Sequence, residues 1–161
     1  RIGLVGAALS DYPELVSFGR GLLESRCALS FSSLRVDSLS DEVADLLAER
    51  QLPFDRAVKN VGRSGRTWTV DFHVRAPARS SLVYVLSTGS RSAAKGVAEH
   101  VLAAWYDLSH LAVGPESVRF VSLFDDTVDV WNDEDFRLLD KLSTVARWTE
   151  PDKFAELLTA A

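Results

Sequence analysis

Lys59, Arg63 and Arg66 stand in one short stretch and enclose Gly62 and Gly65. A glycine-rich loop with basic side chains can cradle phosphate, because backbone N–H groups and cationic heads converge on one anion. The spacing matches no Walker or dinucleotide fingerprint. The chemistry on offer is therefore binding, of an anion or of nucleic acid, set against the plain alternative of a solvated turn. Asp71 follows closely. A nuclease-type Mg²⁺ site needs an acid on one strand and an acid-x-Lys on the next. Asp71 fits the first position, but Val83–Leu86 carries neither acid nor lysine, and Lys95 lies beyond it. Asp71 is read as a polar residue on the less buried face, or as the partner of an arginine. No catalytic residue and no metal ligand is assigned.

Three further groups invite the same weighing. His100, Asp107 and His110 fall on a common helical flank. Such a set can bind zinc, yet a surface ion pair explains it as well. Asp125, Asp126, Asp129, Asp133, Glu134 and Asp135 form an acidic run after a strand. The spacing lacks the central glycine and terminal glutamate of a calcium loop, and two of these acids also serve as helix caps. Trp68, Trp105, Trp131 and Trp148 could stack on bases or fill the core and its edges; the second reading is preferred. Cys27 is read as a small buried hydrophobe. No G-x-S-x-G elbow occurs, so a serine triad has no support.

The elements that must position these residues centre on Arg66–Leu86. Trp68, Val70, Phe72 and Val74 alternate with polar neighbours, the period of a half-buried strand. Pro77 marks a break. Ser81–Ser87 is apolar on both faces, as a central strand is. The pair predicts an antiparallel hairpin. Before it, residues 1–50 read β-α-β-α: strands at 2–9 and 28–34, a helix from Pro13, and a helix starting at Ser38 or Ser40. Phe54–Val61 reads as a strand or a connector. After the hairpin come a long helix over Ala93–Leu111, a strand at Val118–Phe124, a short strand at Val128–Trp131 and a helix over Glu134–Val145. A short edge segment at Ala146–Trp148 and a last helix to Ala160 close the chain. Together these predict a single three-layer α/β domain over residues 1–161, with a mixed sheet and helices on both faces.

Composition sets the bounds. The 161 residues carry a net charge of −5, so no global basic field attracts nucleic acid and any such contact needs a local patch. One cysteine excludes a disulfide framework or a multi-cysteine cluster within the chain. It suits a reducing cytoplasm. No apolar run is long enough to span a bilayer, so no membrane partner is expected. The chain begins with Arg1 and contains no methionine, which is read as the mark of a fragment, a processed chain or an engineered one.

Two resemblances accompany this reading. RIGLVGAALSDYPEL (Arg1–Leu15) and ALSFSSLRVDSLSDE (Ala28–Glu42) resemble two βα units of the radical SAM barrel, cobalamin-binding subgroup. That likeness implies Ser32 and Arg35 near the SAM ribose and carboxylate. The family's three-cysteine cluster cannot be built from one cysteine, so its activity does not follow. Residues 52–161 are similar to the C-terminal part of an uncharacterised bacterial family often associated with mobile elements, through NVGRSGRTWTVDFHV, SSLVYVLST and RFVSLFDD. Their element order resembles the restriction-endonuclease-like core.

The joining of the two predicts a chimera: a structural, non-catalytic domain without evolved activity and without a cofactor. The alternatives are a nuclease-like nucleic-acid-binding module using Lys59, Arg63 and Arg66, and residual SAM or nucleotide binding by Ser32 and Arg35. An open sheet edge would favour a homodimer.

Overall fold

The structure, a computed structural model, describes residues 2–3, 29–30, 34–114 and 117–160, with side chains from Leu39 onward. Two short strands, β1 (Ile2–Gly3) and β2 (Leu29–Ser30), pair in parallel as a sheet of their own. The main sheet has five strands in the order β3 (Phe54–Val61), β4 (Thr67–Arg75), β5 (Ser80–Leu86), β6 (Arg119–Phe124), β7 (Thr144–Arg147). The first two neighbouring pairs are antiparallel and the last two parallel. The fold is thus α/β with a mixed sheet. Among the described residues β1 and β2 pair with each other and not with this sheet. The predicted helix from Pro13, together with Cys27 and Ser32, lies outside the described residues.

Helix α1 (Leu34–Glu49) covers one face of the sheet. Its Leu39, Val43 and Leu47 pack with Phe72, Val83, Val121 and Leu123 in one cluster. The helix starts ahead of the serines predicted as caps. It ends at Glu49 because Gln51 turns left-handed (φ 55°), and the Leu52 and Gln51 N–H groups reach back to the Leu47 and Ala48 carbonyls. That is a Schellman closure made with glutamine in the place glycine usually takes. Helix α4 (Pro151–Thr159) joins the same face through Phe154 and Leu158.

Helix α2 (Arg91–Leu108), followed by a 3₁₀ turn at Ser109–Ala112, covers the opposite face. Its stripe Ala94, Ala98, Val101, Ala104, Trp105 and Leu108 is buried against Tyr84, Leu86, Phe120 and Phe124. Small alanines on two successive turns let the helix approach closely while Trp105 fills the gap. The Trp105 ring stacks on Phe120 with centroids 4.4 Å apart and donates its N–H to the Ser122 hydroxyl at 2.9 Å. Ser122 in turn shares a 2.7 Å bond with Ser143, so the Trp105, Ser122 and Ser143 polar groups are satisfied within the core.

Two predicted elements are corrected after β6. Val128–Trp131 forms no strand: the Trp131 indole N–H bonds the Asp125 carbonyl at 2.8 Å and Val130 N–H bonds Val128, so the segment curls on itself. The helix predicted over Glu134–Val145 is α3 (Asp133–Asp140), opened by an Asn132–Asp135 capping box. It stops because the Leu139 carbonyl takes the N–H groups of both Leu142 and Ser143. The freed residues become β7, paired parallel with β6.

Strand β4 carries the largest departure from simple alternation. An unbroken strand would put Trp68, Val70, Phe72 and Val74 on one face. Instead Trp68 and Val70 pack with α2, while Phe72 and Val74 pack with α1. The strand turns over at Asp71. The β4–β5 ladder runs only from Arg75–Ser80 to Phe72–Val83 and stops there.

Candidate nucleic-acid interface

The β3–β4 hairpin closes through Gly62–Arg66. Gly65 takes a left-handed φ of 81°, and the Gly62 N–H bonds the Arg66 carbonyl at 2.8 Å. The tip is fastened to the end of α2 by Asp107. Its carboxylate accepts from the Ser64 hydroxyl at 2.6 Å, the Ser64 N–H at 2.8 Å and the Trp68 indole N–H at 2.7 Å. The Asp107 carbonyl accepts from Arg63 N–H at 3.0 Å. The Ser64 hydroxyl first, then the Trp68 and Ser64 N–H groups, hold the Asp107 carboxyl below its ordinary range. Gly62 is required here for space. A Cβ on it would overlap the Asp107 carboxylate.

On this fastened tip the three predicted cations do not share one face. Arg66 lays its guanidinium over the Trp68 ring, 4.1 Å from the centroid, on the α2 side. Lys59 pairs in register with Thr69 and so faces the other side of the ribbon, while Arg63 sits in the turn. They therefore ring the tip. Among the described residues none of the three meets a carboxylate. Four other arginines do: Arg50 with Asp152, Arg56 with Asp41 at 2.8 Å, Arg75 with Asp55 and Arg91 with Asp129 at 3.0 Å.

Asp71 is half-buried, between the fully buried Val70 and Phe72, and feels the Arg56 charge. Its carboxylate accepts the Val85 N–H at 2.7 Å, replacing the ladder bond lost where β4 leaves β5. Burial pushes its carboxyl up to about 6, against the Val85 hydrogen bond and the Arg56 charge. Beside it, burial and then the Asp71 charge push the Tyr84 hydroxyl up to about 12. That hydroxyl is buried without a hydrogen-bond partner. Across from Asp71 the second strand offers Tyr84 flanked by the aliphatic Val83 and Val85, and no acid.

Most of the remaining candidates have structural partners, while the buried His110 Nδ1 has no hydrogen-bond partner among the described residues. His100 meets the edge of Trp68 at 5.4 Å and Asp107 is held by the hairpin, so the helical flank is a docking seam. No group of three His, Cys, Asp or Glu side chains suited to a metal comes together among the described residues. In the acidic run, Asp125 accepts from Ser87 and Asp126 from Thr149. Asp129 pairs with Arg91, and Asp135 completes the helix cap. Trp68, Trp105 and Trp131 are buried, and Trp148 donates to Glu42. Of Arg35 only the helical backbone is described.

What the sequence did not disclose was the Asp107–Ser64 clamp. The seven-residue spacing of His100 and Asp107 put both on one helical face, but nothing local tied that face to a hairpin more than forty residues earlier.

No protein-family model and no curated protein matches the sequence. Among solved structures the fold is similar to the crystal structure of a protein of unknown function, AF1548, at 14% identity and a TM-score of 0.50. The match covers 71% of this chain and 59% of that one, so the chain spans about three fifths of its neighbour's length. At that identity the likeness is one of fold alone.

Proposed function

We propose that this chain is a non-catalytic module whose β3–β4 tip contacts the phosphate backbone of nucleic acid. One observation carries this: Lys59, Arg63 and Arg66 gather around a single hairpin turn, and among the described residues none of the three meets a carboxylate, whereas Arg50, Arg56, Arg75 and Arg91 do. In a chain of net charge −5, three unmatched cations around one rigid turn form the local patch that such binding needs. Asp107, the nearest acid, has its oxygens occupied by Ser64 and Trp68. The element order resembles a nuclease-like core. Yet β5, with Tyr84 facing Asp71, carries no acid, so a two-acid Mg²⁺ site has no second ligand there.

Electrophoretic mobility shift on DNA and RNA at low salt tests this. We expect micromolar or weaker affinity that falls steeply with salt, with a log–log slope of about −2 to −3 for three phosphate contacts. Changing all three cations to alanine should abolish the shift. An unshifted wild-type complex at low salt, or a shift that survives the triple change, would reject the proposal and leave a purely structural domain.

A further inference from the structure

At the far end of β4 from the hairpin lies a cleft of about 620 Å³. His73, Pro77, Arg79, Ser80, Ser117 and Val118 line it. Arg79 is half-buried, and its one described hydrogen bond is a 3.2 Å contact to the Ser117 hydroxyl. A charge withdrawn from water normally finds a counter-charge. Among the described residues Arg79 finds none: it also borders a second, shallower cleft with Asp140, but no ion pair forms between them. The His73 Nε2 beside it is buried and lacks a hydrogen-bond partner. Burial and then Arg75 keep His73 below the usual histidine range, hence neutral at pH 7, with one ring N–H to donate. Among the described residues no acidic side chain lines the cleft. The lining is thus one guanidinium and several neutral donors on different walls, with aliphatic and proline surface between them.

We propose that this cleft takes a phosphate group, gripped by Arg79 and met by His73, Ser80 and Ser117 as donors. The fork of a guanidinium matches two oxygens of a phosphate or of a carboxylate. A carboxylate is then saturated, whereas a tetrahedral phosphate keeps oxygens for donors on the facing walls. The volume lies within the ~300–1,000 Å³ of small-molecule sites, enough for an organic residue beyond the phosphate. The site is separate from the hairpin tip and does not depend on the nucleic-acid reading.

The His73 imidazole resonances, followed by NMR, give a local readout. The protein is titrated with inorganic phosphate, with a nucleoside monophosphate, and with acetate at matched ionic strength. Saturable movement of His73 by either phosphate species, with acetate inert, is expected. Tighter binding of the nucleoside monophosphate would identify an organic phosphate as the occupant, and equal binding the free ion. Arg79→Gln should weaken binding at least about tenfold, the usual loss for a charged hydrogen bond. Ser117→Ala, which keeps the guanidinium, should weaken it a few-fold and stands in if Arg79→Gln loses its native circular dichroism. Changing Lys59, Arg63 and Arg66 to alanine should leave it unaltered. No saturable movement, an equal response to acetate, or unchanged binding after loss of Arg79 would overturn the proposal.

Discussion

Ala57 and Asp71 face each other at the one position of the β3–β4 ladder where no pair forms, between Arg56–Phe72 and Val58–Val70. Ala57 there takes a left-handed φ of 52°, and Asp71 is where β4 turns over and gives its carboxylate to Val85. The two strands bend together. A residue with a Cβ in left-handed backbone costs about 1–2 kcal/mol, and a buried carboxylate costs more. Both costs fall at the same spot, and each gives a measurable consequence.

Asp71→Asn should stabilise the protein at pH 7. Because the folded carboxyl titrates near 6 and the unfolded one near 3.8, folding favours its protonated form. That contribution is fully present below about pH 4, is lost as pH rises to about 6, and stays lost above. A rise of about two units corresponds to ~3 kcal/mol at most. Asparagine keeps an oxygen for the Val85 N–H without the charge. Denaturant melts from pH 4 to 7 should show the wild type losing stability relative to the variant. Parallel curves would show that Asp71 is not held up by burial.

Ala57→Gly should raise stability by up to ~1 kcal/mol, since release of the left-handed strain outweighs the added freedom of the unfolded chain. A glycine inside a strand normally does the reverse. Ala57→Val should cost ~1–2 kcal/mol, because a branched side chain tolerates that backbone least. Paired thermal melts decide it, and a glycine variant less stable than wild type would contradict the bend.

Gly62→Ala should loosen the hairpin, because its new Cβ displaces the Asp107 carboxylate. A destabilisation of ~1–3 kcal/mol is expected from the overlap. Faster hydrogen exchange should appear at the N–H groups of Arg63 and Ser64, which bond Asp107. Asp107→Asn should produce the same local exchange with less global loss, since the amide still accepts from Trp68. Unchanged exchange at both positions would mean that the clamp does not hold the tip.

Much of this architecture was legible in the residues. The β4–β5 hairpin followed from alternation and Pro77, β6 from its continuous apolar run, and α2 from a stripe centred on Trp105. Lys59, Arg63 and Arg66 were visible as a basic, glycine-rich turn. Several misses share one cause, contacts made between distant segments. Ser143 makes a buried bond to Ser122, which no local propensity encodes. Asp71 is half-buried as alternation implies, but its bond to the Val85 N–H could not be read from β4 alone. Asp107 looked like a helix-surface acid because Ser64 and Trp68 lie far away in sequence.

Leu47→Ala should cost ~2–5 kcal/mol, although α1 is sequentially apart from the strands it covers. Leu47 is fully enclosed with Phe72, Val83 and Leu123. If α1 and the sheet melt as a unit, far-ultraviolet circular dichroism and tryptophan fluorescence should give coincident transitions in the variant as in the wild type. Separate transitions would mean that the helix is an independent cap.

The bend at Ala57 reaches beyond stability. As drawn by the described residues, β3 flanks the five-stranded sheet and has β4 as its neighbour there. A long straight border strand is a template on which other chains can polymerise. Here the left-handed joint splits the border into Phe54–Arg56 and Val58–Val61, segments too brief and too differently aimed to seed a fibril. By that rule the same joint that strains the monomer should make this border a poorer template for strand addition.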